Sequence, residues 1–473
     1  MGGVHVSAAG SSFDLAREFA SRSHAVPLLQ CFALTVMVIP SDTVIRAVGA
    51  GGYPAGLVGL FAFAAFVAAT ILGLHNPLQY RHPVRSVICL LWIAALASYA
   101  LMDRSTLSVI EAASADRLLM QLAVITGIAL VAAECLTSLF EVRRVLRALV
   151  WGGAFCGAVA ALQFWVSLDL APYLRELPGF SLNFENAGIL DRAALNRVAG
   201  TAIHPIELGV VAGMLLPLAI HLAMYDTDRS ARVRWAPVVL IGIAIPTSVS
   251  RSAILSITLA LAVFVVLMPA RQRLVGLCAV PFALCAVFMS APGIIGTLTS
   301  FFQAGTSDPS VATRVDDYPM AERLVQQAPW FGHGPGTYIP DNAFDIFDNQ
   351  YLKTAVELGL VGLVALVAYL ALPVIFALIA RRHSRDPELR MLCAALAGAA
   401  LAATVCSFTF DSLSFPMFSN VSALVIGLIG ACWRLAAAGR APTPADVRDG
   451  PISTPLESGE PASNTRTVLP AGG

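Results

Sequence analysis

AVELGLVGLVALVAYLALPVIFALIA, residues 355–380, is a run of 26 residues with one charged member, Glu357. A helix of that length reaches about 39 Å, more than the ~30 Å hydrocarbon core of a bilayer. So long an apolar run cannot be sheet core, and the alternation of a porin strand is absent. It reads as a membrane-spanning helix. Nine comparable runs precede it, near 27–48, 53–74, 84–102, 118–139, 145–168, 206–224, 235–249, 252–268 and 274–291, and two follow, near 391–410 and 421–435. The whole composition agrees. The chain has 473 residues, of which 57% are apolar and 13% charged, against roughly 45–50% and 25% in soluble domains. Most soluble enzyme folds are thereby excluded.

The expected architecture is an all-α polytopic membrane protein with about 12 transmembrane helices. A cytoplasmic segment spans 1–26, five helices span 27–168, and a first long outer loop spans 169–205. Four helices follow over 206–291, then a second long outer loop over 292–354, three helices over 355–437 and a tail over 438–473. With both termini in the cytoplasm, 20 of the 30 basic residues lie inside, but only 12 of the 30 acidic ones. Every inner loop is then short and basic, as the positive-inside rule requires. The first 25 residues lack the ordered regions of a signal peptide. The tail is rich in Pro, Ala, Ser, Thr and Gly and reads as disordered. Nine cysteines fall in or beside spans without metal-ligand spacing and read as small buried hydrophobes.

The inner loops are too short to build a site, so chemistry belongs to the outer side, where long loops are usually functional. The seventh and eighth spans are joined by Thr247-Ser248-Val249-Ser250-Arg251-Ser252-Ala253. Arg251 either snorkels to lipid phosphate or forms an anion site among small hydroxylated neighbours. The first long loop ends Arg197-Val198-Ala199-Gly200-Thr201-Ala202-Ile203-His204-Pro205-Ile206-Glu207, which sets Arg197, His204 and Glu207 at the outer mouth. The second long loop carries Arg314, Tyr318 and Arg323, then Pro329-Trp330-Phe331-Gly332-His333-Gly334-Pro335-Gly336, and ends Asp348-Asn349-Gln350. Its glycine-rich piece lacks the Lys-Ser/Thr ending of a phosphate-binding P-loop and reads as a tight turn re-entering the membrane. His333 is a structural residue of that turn, or an acid or ligand. Asp348 is a helix N-cap or a general base at the membrane surface. Asp411, in Phe410-Asp411-Ser412-Leu413-Ser414-Phe415-Pro416, is a further outward carboxylate.

At these residues the sequence resembles the O-antigen ligase and O-antigen polymerase superfamily of bacterial envelope glycosyltransferases. The resemblance covers about 197–416. Ser250-Arg251-Ser252 is similar to the family's Ser-Arg-small turn, and Arg314 with Tyr318 to its loop arginine and aromatic. Pro329–Gly336 is similar to its Pro-aromatic-Gly-x-Gly-x-Gly segment. Arg323 to Gly334 fits an Arg-x10-Gly spacing. Asp348-Asn349 followed by nine residues and Gly359-x-x-Gly362 fits the ligase pattern His-Asn-x9-Gly-x-x-Gly, except that the ligase histidine is Asp348 here. An aspartate, with an unperturbed pKa of ~3.9, is a weaker base than histidine. The departure favours a polymerase over a ligase.

The resemblance implies a GT-C-like enzyme of the inner membrane, with its site facing the extracytoplasmic side. The donor would be a glycan on a polyprenyl diphosphate, usually undecaprenyl, and the acceptor a sugar hydroxyl on another lipid-linked unit or on a lipid anchor. Arginine suits a departing diphosphate because it stays charged and binds bidentately. It implies Arg251 and Arg314 on the diphosphate, seconded by Arg197 and Arg323. Asp348 would be the base, held by Asn349, with Asp411, His204 and Glu207 shaping the sugar pocket. No metal, nucleotide cofactor or nucleic acid is implied. A flippase and a chain-length regulator are the protein partners such a polymerase would have. The rival readings are a lipid-linked oligosaccharide transporter and a non-catalytic scaffold. A transporter would place its coupling groups near the midplane, where these spans hold almost no charge; Glu134 and His221 are exceptions, both near inner ends.

Overall fold

The computed structural model describes residues 25–105, 107–170, 172–173, 176, 178–183, 190–192, 195–278, 309–340 and 346–439. The chain runs through α1 (Ala25–Val38), α2 (Pro54–Ile71), α3 (Val84–Leu101), α4 (Val109–Cys135), α5 (Leu139–Ala161), α6 (Pro205–Tyr225), α7 (Ala231–Thr247) and α8 (Arg251–Val266). After these come α9 (Pro309–Gln327), α10 (Gln350–His383), α11 (Pro387–Cys406) and α12 (Pro416–Ala438). Among the described residues, eight helices are long and apolar enough to cross a membrane, namely α2–α6 and α10–α12, and α1 and α8 are shorter apolar helices. The expected ninth span, 274–291, lies outside the described residues from 279 onward, as does the tail from 440.

The first expected span is shorter than its apolar run. Helix α1 stops at Val38 because Pro40 disfavours helical geometry in the residue before it. The chain then forms strand β1 (Thr43–Ile45), antiparallel to β2 (Phe180–Leu182), with Thr43 opposite Leu182 and Ile45 opposite Phe180. A second ribbon pairs β3 (Leu190–Arg192) with β4 (Leu195–Arg197). Two short ribbons at one end of the bundle thus add to a mostly helical chain. They satisfy backbone groups that a plain loop would leave exposed. Ser41 N–H donates to the Thr201 carbonyl (2.9 Å), Arg46 N–H to that of Gly179 (2.9 Å), and the Thr201 hydroxyl to that of Met37 (2.7 Å).

Small residues let the helices approach closely. A side chain at Gly427 of α12 would meet the Ala129 carbonyl of α4, and one at Gly398 of α11 the Ala260 carbonyl of α8. The end of the bundle with short connections is laced by ion pairs. Arg147 of α5 binds Asp226 bidentately (2.9 and 2.8 Å), and Arg143 meets Glu388 at 3.3 Å. Buried Glu134 takes His75 (2.7 Å), His82 (3.0 Å) and Arg85 together. Not every cysteine is buried: Cys31, Cys89 and Cys278 are exposed on the helix surfaces.

Helix α10 starts at Gln350, five residues before the expected boundary, and is broken at Gly359 (φ 67°, ψ −168°). A break at membrane depth must have its backbone groups paired within the protein. The segment 329–334 does this. His333 and Gly334 N–H donate to the carbonyls of Val356 and Glu357 (3.1 and 2.9 Å). Leu360 and Val361 N–H donate to those of Pro329 and Trp330 (2.8 and 3.2 Å). Gly332 (φ 68°) faces Gly359 across this junction, and a Cβ on either would collide with the other strand's backbone. The glycine-rich piece is thus a tight turn docked into a helix break. A positive φ costs an L residue about 1–2 kcal/mol before any collision. Gly359→Ala should therefore lower the thermal unfolding midpoint in detergent clearly, whereas Gly242→Ala in α7, where a Cβ meets nothing, should not.

Candidate functional site

The α7–α8 turn is built by hydroxyls that close the end of α7. Thr247 donates to the Ile243 carbonyl (3.0 Å) and Ser248 to that of Ile245 (2.7 Å). These two hydroxyls serve the helix end, which corrects the expectation that they are donors for an anion. Val249 is buried at φ 45°, a conformation that β-branched residues rarely hold. Ser250 is the extended N-cap residue and Arg251 opens α8. From the first long connection, Val198 N–H donates to the Thr247 carbonyl (3.4 Å) and Arg197 Nε to that of Ser248 (3.2 Å). Arg197 and Arg251, distant in sequence, thus flank one turn.

That turn is tied to the segment joining α11 and α12. Ser252 donates to the Thr409 hydroxyl (2.8 Å), and the Cys406 thiol to the Ser252 carbonyl (3.6 Å). On its other side the same segment holds the start of α10. Gln350 N–H donates to the carbonyls of Ser407 and Phe410 (3.0 and 3.2 Å), and Leu413 N–H donates to Gln350 Oε1 (2.8 Å). Residues 406–418 therefore gather the ends of α6, α8, α10 and α12.

Each expected site residue has a definite place in this frame. His204 is the N-cap residue of α6, its Nδ1 accepting from Ile206 N–H (3.2 Å) and its ring edge-on to Phe415 at 6.2 Å. Glu207 is fully buried; its two oxygens accept from Ile203 N–H (2.9 Å) and Phe418 N–H (3.0 Å). It caps the start of α12 and its own helix together, so its carboxylate clamps two helices and does not face a sugar pocket. Asn349 caps α10 by accepting from Tyr351 and Leu352 N–H (3.0 and 3.4 Å), and Asp348, which precedes it, is half-buried. Asp411 pairs with Lys353 at 3.3 Å. Arg323 is exposed on α9, reaching the Pro319 carbonyl at 3.3 Å. Arg314 lies on α9, and its side chain is outside the described residues. Helix α9 sits over the start of α10 through Ala321, Leu324, Phe347, Leu352 and Val356.

A cavity of about 400 Å³ opens beside the start of α10. Gln350, Lys353, Thr354 and Glu357 line it, and their spacing puts them on one helix face. Sequence reasoning passed over Lys353 and Thr354 and gave Gln350 and Glu357 no role, because it started the span at 355. A boundary at 350 would have exposed the polar stripe. A second cavity of about 410 Å³ is lined by Asp103, Glu111 and His333. There the hydroxyl and N–H of Ser105 hold Asp103 below the usual carboxylate range. The His333 ring lies 3.0 Å from the Leu324 carbonyl and joins α9 to the glycine-rich turn.

Fold and site define a polytopic membrane protein with a polar, arginine-bearing site at one end of its helices. Residues 236–367 match the family model described as O-antigen ligase. The match spans 132 of the 473 residues and marks this segment as similar to that family. It includes Arg251, Arg314, Arg323, Asp348 and Asn349, and leaves Arg197, His204, Glu207 and Asp411 outside. No curated protein matches the chain.

The clamp at Glu207 is directly testable. A buried donor left without an acceptor costs about 1–3 kcal/mol. Glu207→Ala orphans two, so its unfolding midpoint should fall well below that of Glu207→Gln, which keeps one acceptor.

Proposed function

We propose that this protein polymerises polyprenyl-diphosphate-linked oligosaccharide repeat units on the outer face of the cytoplasmic membrane. The observation that carries the reading is the convergence of Arg197 and Arg251 on one turn, with Arg251 inside the segment that matches the family. The helix ends and short connections on the opposite side carry Arg143, Arg144, Arg147, Arg381, Arg382 and Arg385, which supports the cytoplasm there. The site end then faces outward, away from cytoplasmic nucleotides.

The reaction transfers the donor's anomeric carbon to an acceptor hydroxyl. The new C–O bond forms as the bond to the lipid diphosphate breaks, and the hydroxyl proton goes to a base. Arg251 and Arg314 neutralise the departing diphosphate, with Arg197 and Arg323 as secondary contacts. Asp348, two residues before the Gln350 that Ser407 and Phe410 hold, is the base. Asp411 acts through Lys353 on the acceptor side, and His204, Glu207 and Asn349 keep the helix ends in register. A flippase and a chain-length regulator would work alongside.

Aspartate in place of the ligase histidine favours polymerisation. The family description itself favours a second reading, transfer to a lipid or other envelope acceptor. Deletion of the gene separates them: accumulation of single repeat units on polyprenyl diphosphate means a polymerase, and accumulation of long lipid-linked polymer means a ligase. Arg251→Ala should abolish transfer while the protein still inserts and unfolds at the wild-type temperature. Wild-type activity in that variant would remove the diphosphate clamp.

A further inference from the structure

The cavity beside α10 differs in chemistry from the arginine turn. Its wall toward that turn is the stretch held by Ser407 and Phe410. Its mouth is polar and its floor apolar. The floor is formed by Leu60 of α2, Leu91 and Ala95 of α3, Leu122 of α4 and Leu366 of α10. Leu91 lies ten residues, roughly 15 Å, below the end of α3, so the cavity descends well into the membrane-spanning part of the bundle. A wholly polar ligand would leave this floor unused, and a wholly apolar one would bury the mouth's charges without partners.

The mouth carries unmet hydrogen-bonding demand. Glu357 is 2% exposed and Asn420 3%, and both line the cavity. Glu357 Oε1 and Asn420 Oδ1 have no hydrogen-bond partner among the described residues. Buried acceptors without donors are costly and rare. Both ask for O–H or N–H donors from a ligand. Lys353, one turn before Glu357, supplies the opposite polarity, its ammonium already placed by Asp411 (3.3 Å) and the Ser414 hydroxyl (2.8 Å). Two acceptors and a donor around one space match the hydroxyls of a sugar. The volume falls within the usual range of small-molecule sites.

We infer that this cavity is the acceptor site: Glu357 and Asn420 accept from the sugar hydroxyls of an amphiphilic acceptor, Lys353 donates to them, and the acceptor's lipid chain lies on the floor between α2, α3, α4 and α10. The inference rests on the glycosyl-transfer reading and adds where the second substrate binds and what kind of molecule it is. The acceptor head then lies beside the start of α10, where Asp348 stands two residues before the cavity-lining Gln350.

The test uses the full-length protein in lipid nanodiscs and a photoactivatable alkyl glucoside. Label should enter peptides of α3 and α4 that line the cavity. Ala95→Trp, which fills the floor, should abolish this labelling. The near-isosteric Glu357→Gln should weaken it about tenfold, the loss of one charge-assisted hydrogen bond. In the transfer assay Glu357→Gln should raise the acceptor KM by a similar factor and leave the donor KM unchanged. Competition by a lipid-linked repeat unit identifies a polymerase acceptor, and competition by a glycolipid anchor a ligase acceptor. Labelling outside the cavity, or labelling indifferent to both substitutions, overturns the assignment. Cavity labelling by a wild-type protein that shows no transfer would instead sink the functional reading and leave the binding site standing.

Discussion

The backbone exchange at Gly359 is the interaction on which the site depends. A membrane helix satisfies its own N–H and C=O groups, and any interruption must be repaired from within the protein. Here four hydrogen bonds from residues 329–334 repair it. The repair requires two glycines with positive φ, Gly332 and Gly359, packed backbone to backbone. One structural event thereby accounts for two motifs that look unrelated in sequence: the glycine-rich turn and the Gly-x-x-Gly in the middle of an apolar run. It also sets the depth of Glu357, whose carbonyl takes Gly334 N–H and the Ser98 hydroxyl (3.0 Å). The carboxylate is left to face the cavity.

A second constraint is the supply of partners for helix ends. Each helix exposes unpaired backbone groups at its termini, and at this end of the bundle α6, α8, α10 and α12 all begin. The chain answers with side chains that sequence reading takes for chemistry. Glu207 caps α12 and its own helix, Asn349 caps α10, and His204 caps α6. Polar residues at the start of apolar helices therefore divide into those that close the helix and those that face a cavity, and only geometry separates the two groups. Gln350 belongs to both, since its amide oxygen holds Leu413 N–H while the residue lines the cavity.

The membrane class and most helix positions were legible because apolar runs of spanning length have few other uses. The family segment was legible because its arginines and glycines stand at definite spacings. The break in α10 was not legible: Gly359 sits in a run that is apolar but for Glu357, and nothing local marks a positive φ there. The ribbon of Thr43–Ile45 with Phe180–Leu182 was hidden because its strands are three residues long and far apart in sequence. Of the candidate site, Arg197 and Arg251 could be placed on one side of the membrane but not on one turn. Lys353 was overlooked for want of five residues at the head of a helix, and Glu357, though visible in the run, had no polar neighbours on its face without them.

Lys353 is the sole lysine beside 29 arginines. Elsewhere among the described residues the cations that pair with carboxylates include guanidinium groups, as where Arg147 binds Asp226 bidentately. A planar fork commits its donors to one plane. At position 353 the cation must hold Asp411 and Ser414 on one side and still present charge toward the cavity that Glu357 lines. An ammonium, with three donors around a point charge on a flexible stem, can do this; a guanidinium held by Asp411 would be wider and less free to turn. The two ends of the proposed reaction thus place opposite demands on their cations: a diphosphate favours the rigid fork, and a sugar head beside a carboxylate favours the compact, rotatable charge.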